Sequence, residues 1–196
     1  MKPYSESCEQ NKLPILAVLR EEFAGLSRIL EIGSGTGQHA VFFAEQLPQL
    51  TWQTSDIAAC HAGIRAWLED AGLSNVLPPL ALDVARDPWP DMLYEGIFSA
   101  NAVHIMSWPE VEKMFAGIGR VLAPGGRLCL YGPFNIGGQY TAPSNARFDV
   151  WLKQRDPQSG IRHREDLDQL ASAIGLRRIA SHPMPADNFT LVWQRE

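Results

Sequence analysis

The stretch Arg28-Ile-Leu-Glu-Ile-Gly-Ser-Gly-Thr-Gly-Gln-His39 constrains the fold more than any other part of the chain. Ile29, Leu30 and Ile32 form a short apolar run suited to a strand buried on both faces. Gly33, Gly35 and Gly37 follow at once, where the backbone can turn sharply and approach a ligand that any Cβ would meet. A helix predicted from about Gln38 points its free N–H groups back into that turn. A strand, glycine loop and helix in this order form a nucleotide cradle in many α/β proteins; the plainer alternative is a tight connection with no ligand.

The rest of the chain repeats the unit. Residues 1–10 are polar and read as an irregular arm, with Asn11 as N-cap of a helix through Leu13, Leu16, Leu19, Arg20 and Phe23. Pro14 falls in that helix's first turn and Gly25 ends it. Further strands are predicted over 50–54, 76–82, 96–103 and 127–131, with helices between them. Gly72 ends the helix after the second strand, and Ser107 with Glu110 makes a capping box. Beyond a Gly/Pro-rich loop at 132–141 come helices over 144–155 and 164–174. Two closing strands follow, about 176–181 and 189–194, most simply an antiparallel hairpin. The expected fold is α/β: a Rossmann-like, seven-stranded, mostly parallel sheet with helices on both faces and an antiparallel last strand. The 196 residues are expected to form one domain. Residues 1–25 are its arm and first helix, 26–132 its ligand-binding core, and 133–196 its substrate-side loop, helices and closing strands.

Composition narrows the function. A net charge of -5 argues against a general nucleic-acid binder. Cys8, Cys60 and Cys129 are odd in number and far apart, with no CxxC pair, so neither a disulfide framework nor a zinc ribbon is expected. The histidines show no two-ligand spacing, and no metal is expected. There is no signal-like N-terminus, and no run approaches the ~18 apolar residues of a membrane span. A cytoplasmic location, no membrane contact and a small-molecule substrate are the expectations; composition leaves the oligomeric state open.

Ligands of such sheets bind beyond the carboxyl ends of the strands. There stand Glu31 and the glycines, Asp56, Asp83, the run Asn101-Ala-Val-His104, and Tyr131-Gly-Pro-Phe134. Asp56 lies where a carboxylate would accept from a ribose diol, or else cap the next helix. Asp83 suits either an adenine amino group or a turn before Pro88. Gln38 occupies the place of the third glycine of G-x-G-x-x-G, which speaks against a nicotinamide dinucleotide oxidoreductase. No P-loop Gly-Lys-Ser/Thr occurs, and no lysine stands near the loop to meet phosphate. An adenosine compound without a polyphosphate fits best.

Glu31-Ile-Gly-Ser-Gly-Thr-Gly37, Asp56, Leu82-Asp83-Val84 and the Pro124-Gly-Gly126 turn together resemble the motifs of class I S-adenosylmethionine-dependent methyltransferases. The likeness covers roughly residues 26–132. Asn11-Lys12, Gly37-Gln-His-Ala40, Pro79-Leu-Ala-Leu-Asp-Val84, Tyr131-Gly-Pro-Phe134 and Thr141-Ala-Pro-Ser-Asn145 resemble, more narrowly, the methyltransferase-like 26 group. The resemblance implies S-adenosylmethionine as cofactor and transfer of its methyl group to a small molecule. A non-catalytic sensor or scaffold that binds S-adenosylmethionine is the alternative. It implies that Gly33, Gly35 and Gly37 face the methionine part, and that Glu31 fixes the loop or accepts from the cofactor amine. Asp56 would hold the ribose and Asp83 the adenine with Val84 beside it; Asn101 would lie below the sulfonium. His104 and Tyr131 are the candidate bases; Asn11, Lys12, Tyr140, Asn145 and Asp149 are candidates for the substrate side.

Overall fold

The computed structural model describes residues 2–196. In chain order the elements are α1 (Glu6–Glu22), β1 (Arg28–Ile32), α2 (Gln38–Gln46), β2 (Thr51–Asp56), α3 (His61–Ala71), β3 (Val76–Ala81), β4 (Tyr94–Ala100) and α4 (Trp108–Val121). Then follow β5 (Leu122–Gly132), β6 (Phe134–Asn135), α5 (Pro143–Arg155), β7 (Arg162–His163), α6 (Arg164–Ala173), β8 (Leu176–Met184) and β9 (Asn188–Arg195). Seven strands form one sheet in the order β3-β2-β1-β4-β5-β9-β8. The first five are parallel, and β9 runs antiparallel to both β5 and β8. The predicted fold class therefore holds, including the closing hairpin.

The alternation of side chains along the strands divides the core in two. Leu30, Ile32, Ile97, Leu128 and Leu130 face Phe115, Ile118 and Leu167 of α4 and α6. Ile29, Phe98, Cys129 and Tyr131 face Ile15 and Leu19 of α1 and Phe43 of α2. The order of strands reverses between β1 and β4, so the crevice at the carboxyl ends opens there.

Several local expectations change. Helix α1 starts at Glu6, capped by Ser5, whose Oγ accepts from the Cys8 N–H at 3.3 Å. Asn11 is therefore no cap but a buried residue on the inward face, and Pro14 lies in the helix interior. That face is set by Asn11, Ile15, Val18 and Glu22, with Leu16 and Leu19 beside them, so Leu13 points outward and is 65% exposed. Strand β4 stops at Ala100 rather than Val103, because Asn101 takes a left-handed φ of 55° and turns the chain. The Pro124-Gly-Gly126 turn sits inside β5, where the register against β4 slips between Tyr94 and Gly96. Pro78 and Pro79 are tolerated in β3 because it is an edge strand. There Gln53 Nε2 donates to the Pro78 carbonyl at 2.7 Å and Thr54 Oγ1 to that of Leu77 at 2.8 Å. The loop after β5 holds β6, which pairs in parallel with β7. Among the described residues no helix is long and apolar enough to cross a membrane. No group of three or more His, Cys, Asp or Glu side chains is placed to hold a metal ion among them either.

Candidate functional site

The glycine loop is held from β2. Gly33 and Ser34 both donate their N–H to the Ser55 carbonyl at 3.0 Å, and Ser55 Oγ donates to the Glu31 carbonyl at 2.6 Å. Asp56 accepts the Gly35 N–H on Oδ2 and the Ile57 N–H on Oδ1, both at 2.7 Å. Its carboxylate thus clamps the middle of the loop rather than capping α3. All three loop glycines have positive φ, 74°, 58° and 91°. Gly37 is also pressed against α3: a Cβ there would stand 3.0 Å from Ile64 Cα. Gly37 offers α2 no side-chain cap, and Thr36 Oγ1 accepts the first helical N–H, that of Gln38, at 3.3 Å.

Glu31 lies beneath this loop, 2% exposed. Its Oε2 accepts from Trp52 Nε1 at 3.2 Å, and no cation pairs with it among the described residues. Burial raises its pKa to about 7, against hydrogen bonds from Ser34 and Trp52 that oppose the rise. The start of the chain closes over the same place. Ser5 donates its N–H to Gln38 Oε1 and accepts from Gln38 Nε2, and Trp67 Nε1 donates to the Pro3 carbonyl at 2.7 Å. Asn11 Oδ1 stands 2.7 Å from His39 Nε2, and burial lowers the His39 pKa to about 4, so the neutral ring donates. Lys12 pairs with Glu9 and stands over the Phe42 ring.

A second group lies past β4 and β5. His104 is 4% exposed, and its buried Nδ1 has no hydrogen-bond partner. Burial, and then the positive charge of Arg162, lower its pKa to about 4. Its neighbour in space is Gly132, where a Cβ would lie 3.6 Å from His104 Nδ1 and 3.7 Å from Asn101 Oδ1. Tyr131 points to the other face of the sheet, against α1 and Asn11, and burial raises its pKa. The two candidate bases are therefore on opposite sides of β5.

A third group belongs to α5. Asp149 accepts from Tyr140 Oη at 2.7 Å, Lys153 Nζ at 2.6 Å and the Ile161 N–H at 2.7 Å, and its pKa is lowered. Asn145 does not join it: its Nδ2 donates to Thr141 Oγ1 and to the Asp187 carbonyl in the closing hairpin. The Phe148 ring lies 5.4 Å from that of His104, which brings α5 over the turn after β4.

Asp83 forms a turn, its Oδ1 accepting the Ala85 N–H at 3.0 Å, while Val84 is buried in the core with Trp89. Trp52, Ser55, Phe148 and Arg162 stand among these groups and lie in none of the motifs quoted above, whereas Ser34 and His39 lie inside two of them without having been given a role. Two cavities of about 380 and 280 Å³ lie at the amino ends of the strands, lined by Asp168, Arg178 and Glu196, and by Ser27, Thr51 and Glu95. None of the candidate residues lines either.

The fold is shared with methyltransferases. An O-methyltransferase family 2 protein from Planctomyces limnophilus in complex with apigenin superposes with a TM-score of 0.84 at 17% identity, over 97% of this chain and 58% of that one. The S-adenosylmethionine-dependent methyltransferase SibL gives 0.82 at 21%, over 96% and 55%. The O-methyltransferase NcsB1 of neocarzinostatin biosynthesis, with S-adenosylmethionine and 2-hydroxy-5-methyl naphthoic acid, gives 0.80 at 15%, over 97% and 55%. In sequence, the chain is 31% identical over 108 residues to malonyl-[acyl-carrier protein] O-methyltransferase of Alcanivorax borkumensis, covering 55% of this chain and 35% of that protein. It thus spans about a third of that relative and little more than half of the solved structures. The chain belongs to the family described as "Protein of unknown function (DUF938)", whose model matches residues 2–195.

Proposed function

We propose that the protein is a methyltransferase that uses S-adenosylmethionine to methylate a small molecule. The observation that carries this reading is Glu31: a buried carboxyl without a cationic partner, under a glycine loop clamped by Asp56. A sulfonium compound with an α-amino group brings the missing positive charge, and a loop free of lysine suits a ligand without phosphate. The sequence relative and the structural neighbours, NcsB1 with S-adenosylmethionine and PigF with S-adenosylhomocysteine, support the same choice.

In this reading the Gly33, Gly35 and Gly37 backbone cradles the amino-acid part, Glu31 answers its ammonium, and Asp56 takes the ribose hydroxyls on its free lone pairs. Asp83 and Val84 flank the adenine, and Asn101 lies below the sulfur. The cofactor supplies a methyl group already activated by positive sulfur, so alignment of the acceptor is the protein's main contribution. His104, neutral and with an unengaged Nδ1, is the proton acceptor; Tyr131, turned toward α1, is a packing residue. Residues 26–132 hold the cofactor and 133–196 the substrate side, with Tyr140, Asn145 and Asp149 stabilising its wall. Asn11 and Lys12 brace α1 against α2 beside the cofactor. The motifs around Asn11-Lys12 and Tyr131-Gly-Pro-Phe134 support a place near the methyltransferase-like 26 group.

The test is thermal unfolding with and without S-adenosylmethionine. At one hundred times the dissociation constant the folded state gains about 2.7 kcal/mol. No shift at millimolar ligand refutes the reading.

A further inference from the structure

Before α1 begins, the chain crosses from α3 to α2 and is held at Lys2, Pro3 and Ser5. Lys2 pairs with Asp70, and its ammonium lies 3.7 Å from the centroid of the Trp67 ring. The Pro3 ring fills the space beside Gly63, where a Cβ would stand 2.6 Å from Pro3 Cγ. Glycine is a poor residue inside a helix, and in α3 it gives Pro3 its seat. Trp67 ties this seat to the glycine loop. Its indole N–H donates to the Pro3 carbonyl at 2.7 Å, and its Cβ lies 3.3 Å from where a Gly37 Cβ would stand. At Gln38 the side-chain amide clasps the Ser5 backbone, accepting its N–H and donating to its carbonyl at 3.3 Å. Thr36 Oγ1 donates to the same Gln38 Oε1 at 3.1 Å, so the clasp grows from the loop itself. Cys8, in the first turn of α1, then lies beside Thr36 and Glu31. The cover is one-sided: Glu31, Gly37, Gln38 and His39 are buried, whereas Gly35, bonded to Asp56, is exposed.

We propose that residues 2–8 form a strap, latched by Gln38, that gates the amino-acid end of the cofactor site and leaves its adenosyl end open. This rests on the methyltransferase reading above, in which Glu31 and the glycine loop meet the amino-acid part and Asp56 the ribose. The bonds that close the strap run between protein groups, and none of them uses Asp56, Asp83 or Asn101. They are few, and exposed or half-buried, so the strap opens far more readily than the core beneath it. Under the strap Glu31 has no cation among the described residues, so the covered space suits an ammonium group. Gln38 is thus a positioning residue: it acts through the Ser5 backbone. A ligand with an amino-acid tail must wait for the latch to open, both to enter and to leave. A ligand that ends at the nucleoside passes beside it.

Stopped-flow binding on the full chain compares S-adenosylhomocysteine with 5′-methylthioadenosine, which keeps the nucleoside and thioether and lacks the amino-acid group. Amide hydrogen exchange of residues 2–12 reads the strap itself. Gly63→Ala displaces Pro3 from the α3 side while improving the helix, so the fold is not put at risk. Gln38→Ala removes the latch. In both variants exchange of the segment is expected to speed up. The association and dissociation rates of S-adenosylhomocysteine are expected to rise together by about three- to tenfold, as for a gate that has lost one bond, with those of 5′-methylthioadenosine staying within about twofold. Should Gln38→Ala not fold, Gly63→Ala decides alone. Faster dissociation without faster association, an equal effect on both ligands, unchanged rates, or unchanged hydrogen exchange each overturns the strap, while the methyltransferase reading stands as long as the parent binds S-adenosylhomocysteine. If the parent binds neither ligand, both fall.

Discussion

Trp52 Nε1 donates a hydrogen bond to Glu31 Oε2 across 3.2 Å, from near the start of β2 to the end of β1, beside the apolar cluster under α1 and α2. Two neutral donors, Trp52 and Ser34, do not offset the burial of a carboxylate, so Glu31 keeps a proton up to about pH 7. A carboxyl whose folded pKa lies above its unfolded value binds more protons when folded. Its charge therefore costs stability as pH rises from 4.5 toward 7. Glu31→Gln keeps the acceptor oxygen for Trp52 and removes the titration. At pH 8 the unliganded variant is expected to be more stable than the parent by about 1–3 kcal/mol, the difference shrinking to below about 1 kcal/mol at pH 5. Its affinity for S-adenosylmethionine is expected to fall. Urea unfolding at the two pH values and ligand titration measure both effects; a variant less stable at pH 8 contradicts the assignment.

Asp56 joins the glycine loop to β2 through the Gly35 N–H. Asp56→Ala removes that acceptor and is expected to destabilise the protein by about 1–2 kcal/mol. Asp56→Asn retains one acceptor oxygen and is expected to cost less. S-adenosylmethionine affinity should drop in both and most in Asp56→Ala, as isothermal titration would show. Unchanged affinity in Asp56→Ala would remove this residue from the binding site.

Two glycines at the site differ in why they are glycines. Gly37 has φ 91° and no room beside Ile64, so Gly37→Ala meets both backbone strain and a close contact. A loss of about 2–3 kcal/mol is expected. Gly132 has no positive φ, and its added Cβ makes only ordinary contacts at 3.6 Å and beyond. Gly132→Ala is expected to change stability by less than about 1 kcal/mol. Differential scanning calorimetry of the pair separates a glycine needed by the backbone from one that leaves space beside His104.

The glycine loop and the strand before it were legible because their requirements are local. Ile29 to Ile32, the three glycines and the downstream Asp56 each occupy a place fixed by short-range geometry, and strand β1 and its loop fall where the pattern put them. Helix α1 was misjudged for a physical reason. Asn11 is a favoured cap type, but here its amide is consumed by His39, a residue 28 positions away that pattern alone does not connect to it. The true cap, Ser5, lies in a segment whose polar composition hides its docking on Gln38. The surroundings of His104 are assembled largely from long-range contacts. Arg162 reaching the Val103 carbonyl, and Phe148 meeting His104, are properties of packing that no spacing encodes. Asp149 and Tyr140 were both candidates for the substrate side, but their hydrogen bond to each other, and the pairing of Asp149 with Lys153, emerge only once α5 is in place.

Asp149 and Lys153 also test how unequal the two ends of an ion pair are. The Lys153 side chain is 55% exposed and that of Asp149 4%. Lys153→Ala leaves Asp149 its bonds from Tyr140 and Ile161, and is expected to cost no more than about 1 kcal/mol. Asp149→Ala strands the Ile161 N–H and the Tyr140 hydroxyl and is expected to cost about 2–3 kcal/mol. The lowered pKa of Asp149 means that its contribution is present at neutral pH and is lost on acidification through the ordinary carboxylate range and below. Equal costs for the two variants in urea unfolding would show that the charge pair, not the buried acceptor, matters.

Three buried groups pull the pH dependence of stability in opposite directions. His39 and His104 are held neutral, their pKa values lowered from 6.5 to about 4, so the unfolded chain binds two protons that the folded one refuses between those limits. Glu31, raised from 4.5 to about 7, holds one proton when folded that the unfolded chain releases. Between about pH 4.5 and 6.5 the unfolded state therefore binds one net proton more, and stability rises with pH by about 1.4 kcal/mol per unit. Glu31→Gln removes the opposing group and is expected to double that slope, to about 2.7 kcal/mol per unit. Urea unfolding of both proteins at half-unit steps from pH 5 to 6.5 reads the slopes directly. Parallel lines would mean that the Glu31 carboxyl is already ionised in the folded protein at pH 5, and that a counter-charge sits beside it.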